Sequence, residues 1–266
     1  MFKRKPYKVS AIRKGFLILI PVFIGFLAFA IQDNLPTKKE QPIVKSVAEE
    51  KISYDPVLLK KFEALTQKMD AIRDYSCSGS ISAADHADST EIIQNVPFEI
   101  CKVGPRFYYR LGHTETINKP GMSLSIDHDA KKILIRTGSN GNQNSSFNPM
   151  KPEQLIQLFQ SEEYQLKRSI NGSIETLSLV NLKHISCKEY SVSIDTISRM
   201  PARFFTRLTN TDEPERTDNE KVIDVRITKW GNTSQIAQYT KTENKVIKEA
   251  GRWKAVGELA GYQVIQ

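Results

Sequence analysis

The sequence predicts an α+β fold: a single strongly curved antiparallel sheet of about ten strands, an open half-barrel with helices on its concave side. An N-terminal membrane helix or signal segment precedes it. Three observations carry this prediction. Short runs of alternating apolar and polar residues, broken by turn residues, fill most of the chain after Tyr75. Only two stretches show a helical apolar period. The first 31 residues are basic and then uncharged.

The 266 residues carry a net charge of +8, unevenly placed. Residues 1–14, "MFKRKPYKVSAIRK", hold six cations and no acid, so +8 less +6 leaves only +2 for residues 32–266. "GFLILIPVFIGFLAFAI", residues 15–31, has no charge and is just long enough to cross a bilayer. Cations directly before it favour a cytoplasmic N-terminus with the remainder exported. Ala28-Phe29-Ala30 also fits a signal-peptidase site, so both readings stand. The first is an inner-membrane anchor with the domain on the periplasmic side; the second is a soluble periplasmic protein cleaved near Ala30. Export and a nearly neutral domain both argue against nucleic acid as a partner.

Residues 32–54 are polar, carry Pro36 and Pro42, and read as a flexible stalk, which leaves 55–266 as the folded domain. Asp55-Pro56 is a helix start, and Leu58, Phe62, Leu65, Met69 and Ile72 recur at 4-3-4-3 spacing as one apolar stripe. Strands are predicted at 76–83, 90–102, 106–112, 122–127 and 132–137. Residues 138–149 read as a loop, and "PEQLIQLF" from Pro152 as a second helix presenting Leu155, Leu158 and Phe159. Strands then resume at 163–170 and 173–180 about Asn171-Gly172, a strong hairpin signal, and at 187–194, 202–209, 221–230 and 234–241. The 209–220 segment reads as an acidic loop.

Alternation assigns faces. Phe107, Tyr109 and Leu111 share one side of their strand, towards the hollow; Arg106, Tyr108 and Arg110 share the other, read as solvated. A hairpin turning near residue 89 would set Cys77 opposite Cys101, and in an exported chain facing cysteines can bond. Catalytic signatures are not found: no G-x-S-x-G, H-E-x-x-H, C-x-x-C or phosphate-binding glycine pattern. Asp127-His128-Asp129 reads as a solvated turn rather than a metal site, and Glu91, Glu99 and Glu115 as strand carboxylates. No enzyme, cofactor or metal is expected.

Four segments carry a family resemblance: "DPVLLKKFEALTQKMDAIRDYSCSGSIS", "FEICKVGPRFYYRLGHTETINKPGMSLSIDHDAKKILI", "NPMKPEQLIQLF" and the closing "GYQVIQ". In order and pattern they resemble the LolA-like superfamily of periplasmic lipoprotein carriers. There, a long helix steps through Y-x-S/T into the first strand, a run of hairpins follows, and a short helix lies mid-chain. The resemblance implies a half-barrel with an apolar cavity for acyl chains, serving as carrier, sensor or tether. Cavity residues would be Phe62, Leu65, Met69, Phe107, Tyr109, Leu124, Ile126, Leu155 and Phe159. It also implies a basic residue bonding a lid helix, in the neighbourhood of Lys102 or Arg106. Partners would be lipid or lipoprotein acyl chains, the membrane through residues 15–31, and an envelope protein. Two alternatives remain: an envelope interaction module with a filled core, docking through its wet sheet face or the 209–220 loop, and a hydrolase on the same scaffold.

Overall fold

A computed structural model describes residues 54–138, 157, 159, 161–210 and 212–266. The basic segment, the apolar segment at 15–31, nearly all of the stalk, Leu155 and Leu158 lie outside them.

Helix α1 spans Pro56–Ala71. Asp55 caps it, one carboxylate oxygen accepting the Val57 N–H at 2.8 Å, and Pro56 occupies the first turn, where no N–H is needed. Fourteen strands follow: β1 Tyr75–Asp85, β2 Asp88–Val103, β3 Arg106–Leu111, β4 Thr114–Lys119, β5 Met122–Asp127, β6 Lys132–Thr137, β7 Gln165–Asn171, β8 Ile174–Val180, β9 Cys187–Asp195, β10 Met200–Leu208, β11 Lys221–Trp230, β12 Val246–Glu249, β13 Arg252–Ala255 and β14 Gln263–Ile265. A short helix, α2, spans Ile236–Tyr239, between β11 and β12.

Twelve strands form one open sheet in the order β14-β6-β5-β4-β3-β2-β1-β11-β10-β9-β8-β7, with β12 and β13 a separate hairpin. All pairs in the large sheet are antiparallel except β14 with β6. A twisted sheet of this width has to curl, which fits the curved sheet expected, though with twelve strands rather than ten.

The strand at 234–241 is a correction. Asn232 accepts from the Ser234 N–H and starts a 3-10 turn that runs on into α2, so Ile236 and Tyr239 meet the sheet one helical turn apart. β4, "TETINK", carries a single apolar residue, and the alternation on which strand prediction rests is nearly silent there.

The sheet has two cores, one on each face. On the first face α1 lays Phe62, Leu65 and Met69 against the apolar sides of β1–β3 and β8–β11. On the other face, residues 232–266 cover β2–β6, burying Ile117, Leu124, Ile126, Ile133 and Ile135 under Ile236, Val246 and Leu259. This second layer is absent from the sequence-level picture, in which helices cover one side only. Side-chain contacts latch it down. Tyr239 stacks on Tyr108 with ring centroids 4.5 Å apart and donates to Glu99 at 2.6 Å. Lys245 meets Glu115 at 3.0 Å, and Lys119 meets Glu243 at 3.3 Å.

Three expectations about side chains change accordingly. Tyr108 is 5% exposed under this layer, so the solvated strand face is made by Arg106 and Arg110 without it. Glu115 is buried rather than a surface carboxylate. His128, expected in a solvated turn, is half-buried, with one ring nitrogen 3.3 Å from Glu115 and the other 3.2 Å from the Tyr262 hydroxyl.

Candidate functional site

The β1–β2 hairpin turns at His86-Ala87 and contains bulges between Ile81 and Ala83 and between Ala84 and Asp85. With the turn at that place and these two bulges beyond it, the register at the cysteine end falls one residue short of a uniform hairpin about residue 89. Cys101 pairs with Ser76, and Cys77 with Ile100. A one-residue slip moves a side chain to the other face. Cys77 therefore enters the α1-side core and Cys101 the C-terminal core, and all three cysteines are free thiols. Burial pushes the Cys77 thiol up to about 12 and Cys187 to about 11. The Cys77–Cys101 disulfide is not formed.

The same parity sorts the expected cavity residues. Phe62, Leu65, Met69, Phe107, Tyr109 and Phe159 come together on the α1 side. Phe62 meets Phe159 edge-to-face at 5.6 Å, Phe159 meets Tyr164 likewise at 5.6 Å, and Phe107 stacks beside Tyr109 at 6.3 Å. Leu124 and Ile126 belong to the opposite face, each 0% exposed beneath the C-terminal layer. Their position follows from pairing: Tyr108, Ile117 and Leu124 stand in one cross-strand row, so Leu124 shares the face of Tyr108 and not of Tyr109. They are corrected out of the cavity set. Leu155 lies outside the described residues.

Tyr54 closes this site from the stalk side. Its hydroxyl donates to the Tyr164 carbonyl and lies 3.2 Å from that of Phe159. Tyr164 in turn donates its hydroxyl to the Cys187 carbonyl, which ties the Phe159 segment to β9. At the far end of α1, Lys68 donates to the Arg199 carbonyl in the β9–β10 turn, and Lys61 pairs with Glu175 of β8 at 3.0 Å. The helix is thus fixed across β8–β10 at several points.

Lys102 and Arg106 part company. Lys102 pairs with Tyr75 and Phe107, lies on the α1 face and is 8% exposed; burial and the neighbouring Arg73 push its ammonium pKa down, with Asp74 opposing. Arg106 is exposed at the start of β3, paired with Val103 on the opposite face.

The α1 face changes chemistry across the sheet. One row reads Tyr75, Lys102, Phe107, Asn118, Ser123 and Arg136 from β1 to β6, and the next reads Cys77, Ile100, Tyr109, Thr116, Ser125 and Leu134. Beyond β3 the apolar side of each strand is turned to the C-terminal core, so the α1 side receives its hydroxyl and amide residues. Sequence reasoning missed this wall because β4 was not recognised as a strand. The signal available was the Thr-x-Thr-x-Asn spacing of Thr114, Thr116 and Asn118, set between two glycine turns.

Among the described residues, no group of His, Cys, Asp and Glu side chains could hold a metal ion, and no helix is long and apolar enough to cross a membrane.

No protein-family model matches the chain, and no curated protein matches it in sequence. Several solved structures are partly similar. An uncharacterized conserved protein from Thermus thermophilus is 8% identical, with 77% of this chain and 97% of that chain covered, at a TM-score of 0.39. A LolA superfamily protein from Nitrosomonas europaea is 8% identical, covering 63% and 91%, with a TM-score of 0.26. MucB is 12% identical, covering 77% and 67%, with a TM-score of 0.35. The superfamily that the sequence resembles is thus among the structural neighbours. At these TM-scores the likeness carries no argument about this chain.

Proposed function

We propose that the protein is an exported cell-envelope binding protein, not an enzyme, that takes acyl chains of a lipid or lipoprotein on the α1 face of its sheet. The observation that carries the reading is the mismatch between that face and the helix on it. Twelve strands about 4.8 Å apart span on the order of 50 Å. The 16 residues of α1 make a rod about 24 Å long. Among the described residues its polar anchors lie on β8 and the β9–β10 turn, while the aromatic side chains of β3 stand further along the same face. An aromatic-rich apolar wall of this kind stabilises an acyl chain by about 0.8 kcal/mol for each CH₂ removed from water. In the same proposal residues 15–31 tether the domain to the inner membrane or are removed near Ala30. The mass of the mature N-terminus separates a tethered sensor from a free carrier.

The alternative is an envelope interaction module with a filled core, docking through its wet sheet face or the 209–220 loop. Glu213 and Asp218 are engaged there by Arg216, at 3.1 and 2.8 Å.

The test is native mass spectrometry of detergent-free protein, with titration by a fluorescent fatty acid. Co-purified acyl ligand or saturable uptake is expected, and a Phe107→Asp change should abolish it. Protein that is empty and ignores the fatty acid overturns the reading.

A further inference from the structure

Two polar atoms on the α1 face are buried without a hydrogen-bond partner: the Tyr109 hydroxyl and the Asn118 side-chain oxygen. Tyr109 is 5% exposed, and burial raises its pKa well above the ordinary tyrosine value, so the hydroxyl keeps its proton. The two residues are diagonal neighbours across β3 and β4, since Tyr109 pairs with Thr116 and Asn118 with Phe107. Diagonal positions of this kind stand about 7–8 Å apart between Cα atoms. Buried polar atoms in folded proteins nearly always have partners, and an orphaned one calls for a specific explanation.

They sit at the seam of the face. On one side are Phe107 and Ile100; on the other, half-buried Thr116, Ser123 and Ser125. An amphiphile lying across the seam would place its chain against β2–β3 and its polar group against β4–β5. The chemistry of that group is constrained. Asn118 Oδ1 can only accept, so it requires a donor; the Tyr109 hydroxyl can give its proton to an acceptor. A carboxylate or an ester has no donor for Asn118. A secondary amide has both, with its N–H beside its C=O.

We infer that the β3–β4 seam is a subsite for the amide of an N-acylated peptide or lipid, its N–H donating to Asn118 Oδ1 and its C=O accepting from the Tyr109 hydroxyl. This rests on the acyl-chain reading above and adds the linkage that the site selects.

The experiment compares two probes of closely similar shape, N-methyldodecanamide and methyl dodecanoate, in which the amide N–H of the first is replaced by the ester oxygen of the second. The protein should bind the amide about fivefold more tightly, the equivalent of one net hydrogen bond. Asn118→Leu should remove that preference, and Tyr109→Phe, which alters no shape, should reduce it. Ligand-free Tyr109→Phe should melt at a higher temperature than the parent, because a buried hydroxyl without a partner has been removed. Equal affinity for the two probes, or a preference that survives both substitutions, overturns the inference and leaves acyl binding standing. Binding of neither probe overturns both. A lower melting temperature for Tyr109→Phe refutes the subsite by itself, since it shows the hydroxyl to be satisfied within the protein.

Discussion

Lys188 and Glu220 form an ion pair almost entirely out of water. Their side chains are 3% and 5% exposed, and the Nζ–Oε1 distance is 3.0 Å. The lysine also donates to the Pro214 carbonyl at 3.0 Å, so the pair fastens both the acidic loop and the start of β11 to β9. Removing one member of a buried pair strands the other and typically destabilises by about 3–5 kcal/mol. The two singles are not equivalent. Lys188→Met leaves Glu220 with Arg207, whose Nε lies 3.8 Å away. Glu220→Gln leaves the buried Lys188 ammonium with no carboxylate, and Glu189 remains to engage Arg207. The glutamate change should therefore fall at the upper end of the range and the lysine change at the lower. With a urea dependence of about 2 kcal/mol per molar, a 4 kcal/mol loss moves the unfolding midpoint by about 2 M. The double change Lys188→Met/Glu220→Leu should lose less than the sum of the singles, because neither orphan charge remains. Singles that each lose under about 1 kcal/mol, or a double equal to their sum, would refute a desolvated pair.

Two further outcomes are expected. At Gly79, beside a β1–β11 bulge, a Cβ would fall 1.8 Å from the Arg226 carbonyl oxygen, which is backbone and cannot swing aside. Gly79→Ala should thus destabilise by about 2 kcal/mol or more and abolish amide-exchange protection along β1 and β11, whereas Gly261→Ala, with open space around the Cβ and no left-handed backbone, should preserve that protection. Glu175 accepts from Arg168 and Lys61, which hold its pKa below the ordinary 4.5. A depressed carboxylate pKa stabilises the fold above the unfolded value and loses that effect as pH falls through the folded one. Glu175→Gln should accordingly destabilise by less than about 1 kcal/mol at pH 7, as for a pair open to solvent, with the difference from the parent vanishing in acid below 4.5. A difference in thermal melts that does not shrink as the pH falls below 4.5 counts against it.

Much of the fold is written locally. Asp55-Pro56 and the Leu58–Phe62–Leu65–Met69 stripe locate α1 and the face that it buries. Asn171-Gly172 locates the β7–β8 turn, where Gly172 takes a φ of +59°. Ile223, Val225 and Ile227 alternate as expected and enter the α1-side core. Six of the nine expected cavity residues do likewise, three from α1 itself, two from β3 and Phe159. The failures lie where the pattern is weak or ambiguous. β4 offers one isoleucine among polar residues, and the segment at 233–239 has too few apolar residues to distinguish a strand from a helical turn.

The sequence by itself determined most of the strands of the large sheet, several hairpin turns, the amphipathic helix and which residues of those strands share a side, since these follow from alternation and from turn chemistry within a few neighbours. Only the tertiary structure decided which layer each side meets. Period-two alternation marks one face of a strand as apolar, but it has no sign, and this sheet offers two apolar layers instead of one. Leu124 and Tyr109 are equally good core residues in the sequence; pairing through β3, β4 and β5 sends them to opposite faces. Cys77 and Cys101 miss each other because the turn at His86-Ala87 and the bulges that follow leave the register one residue short of pairing them. The wall of threonine, serine and asparagine on the α1 side exists because residues distant in the chain, 232–266, claim the apolar face of β4–β6.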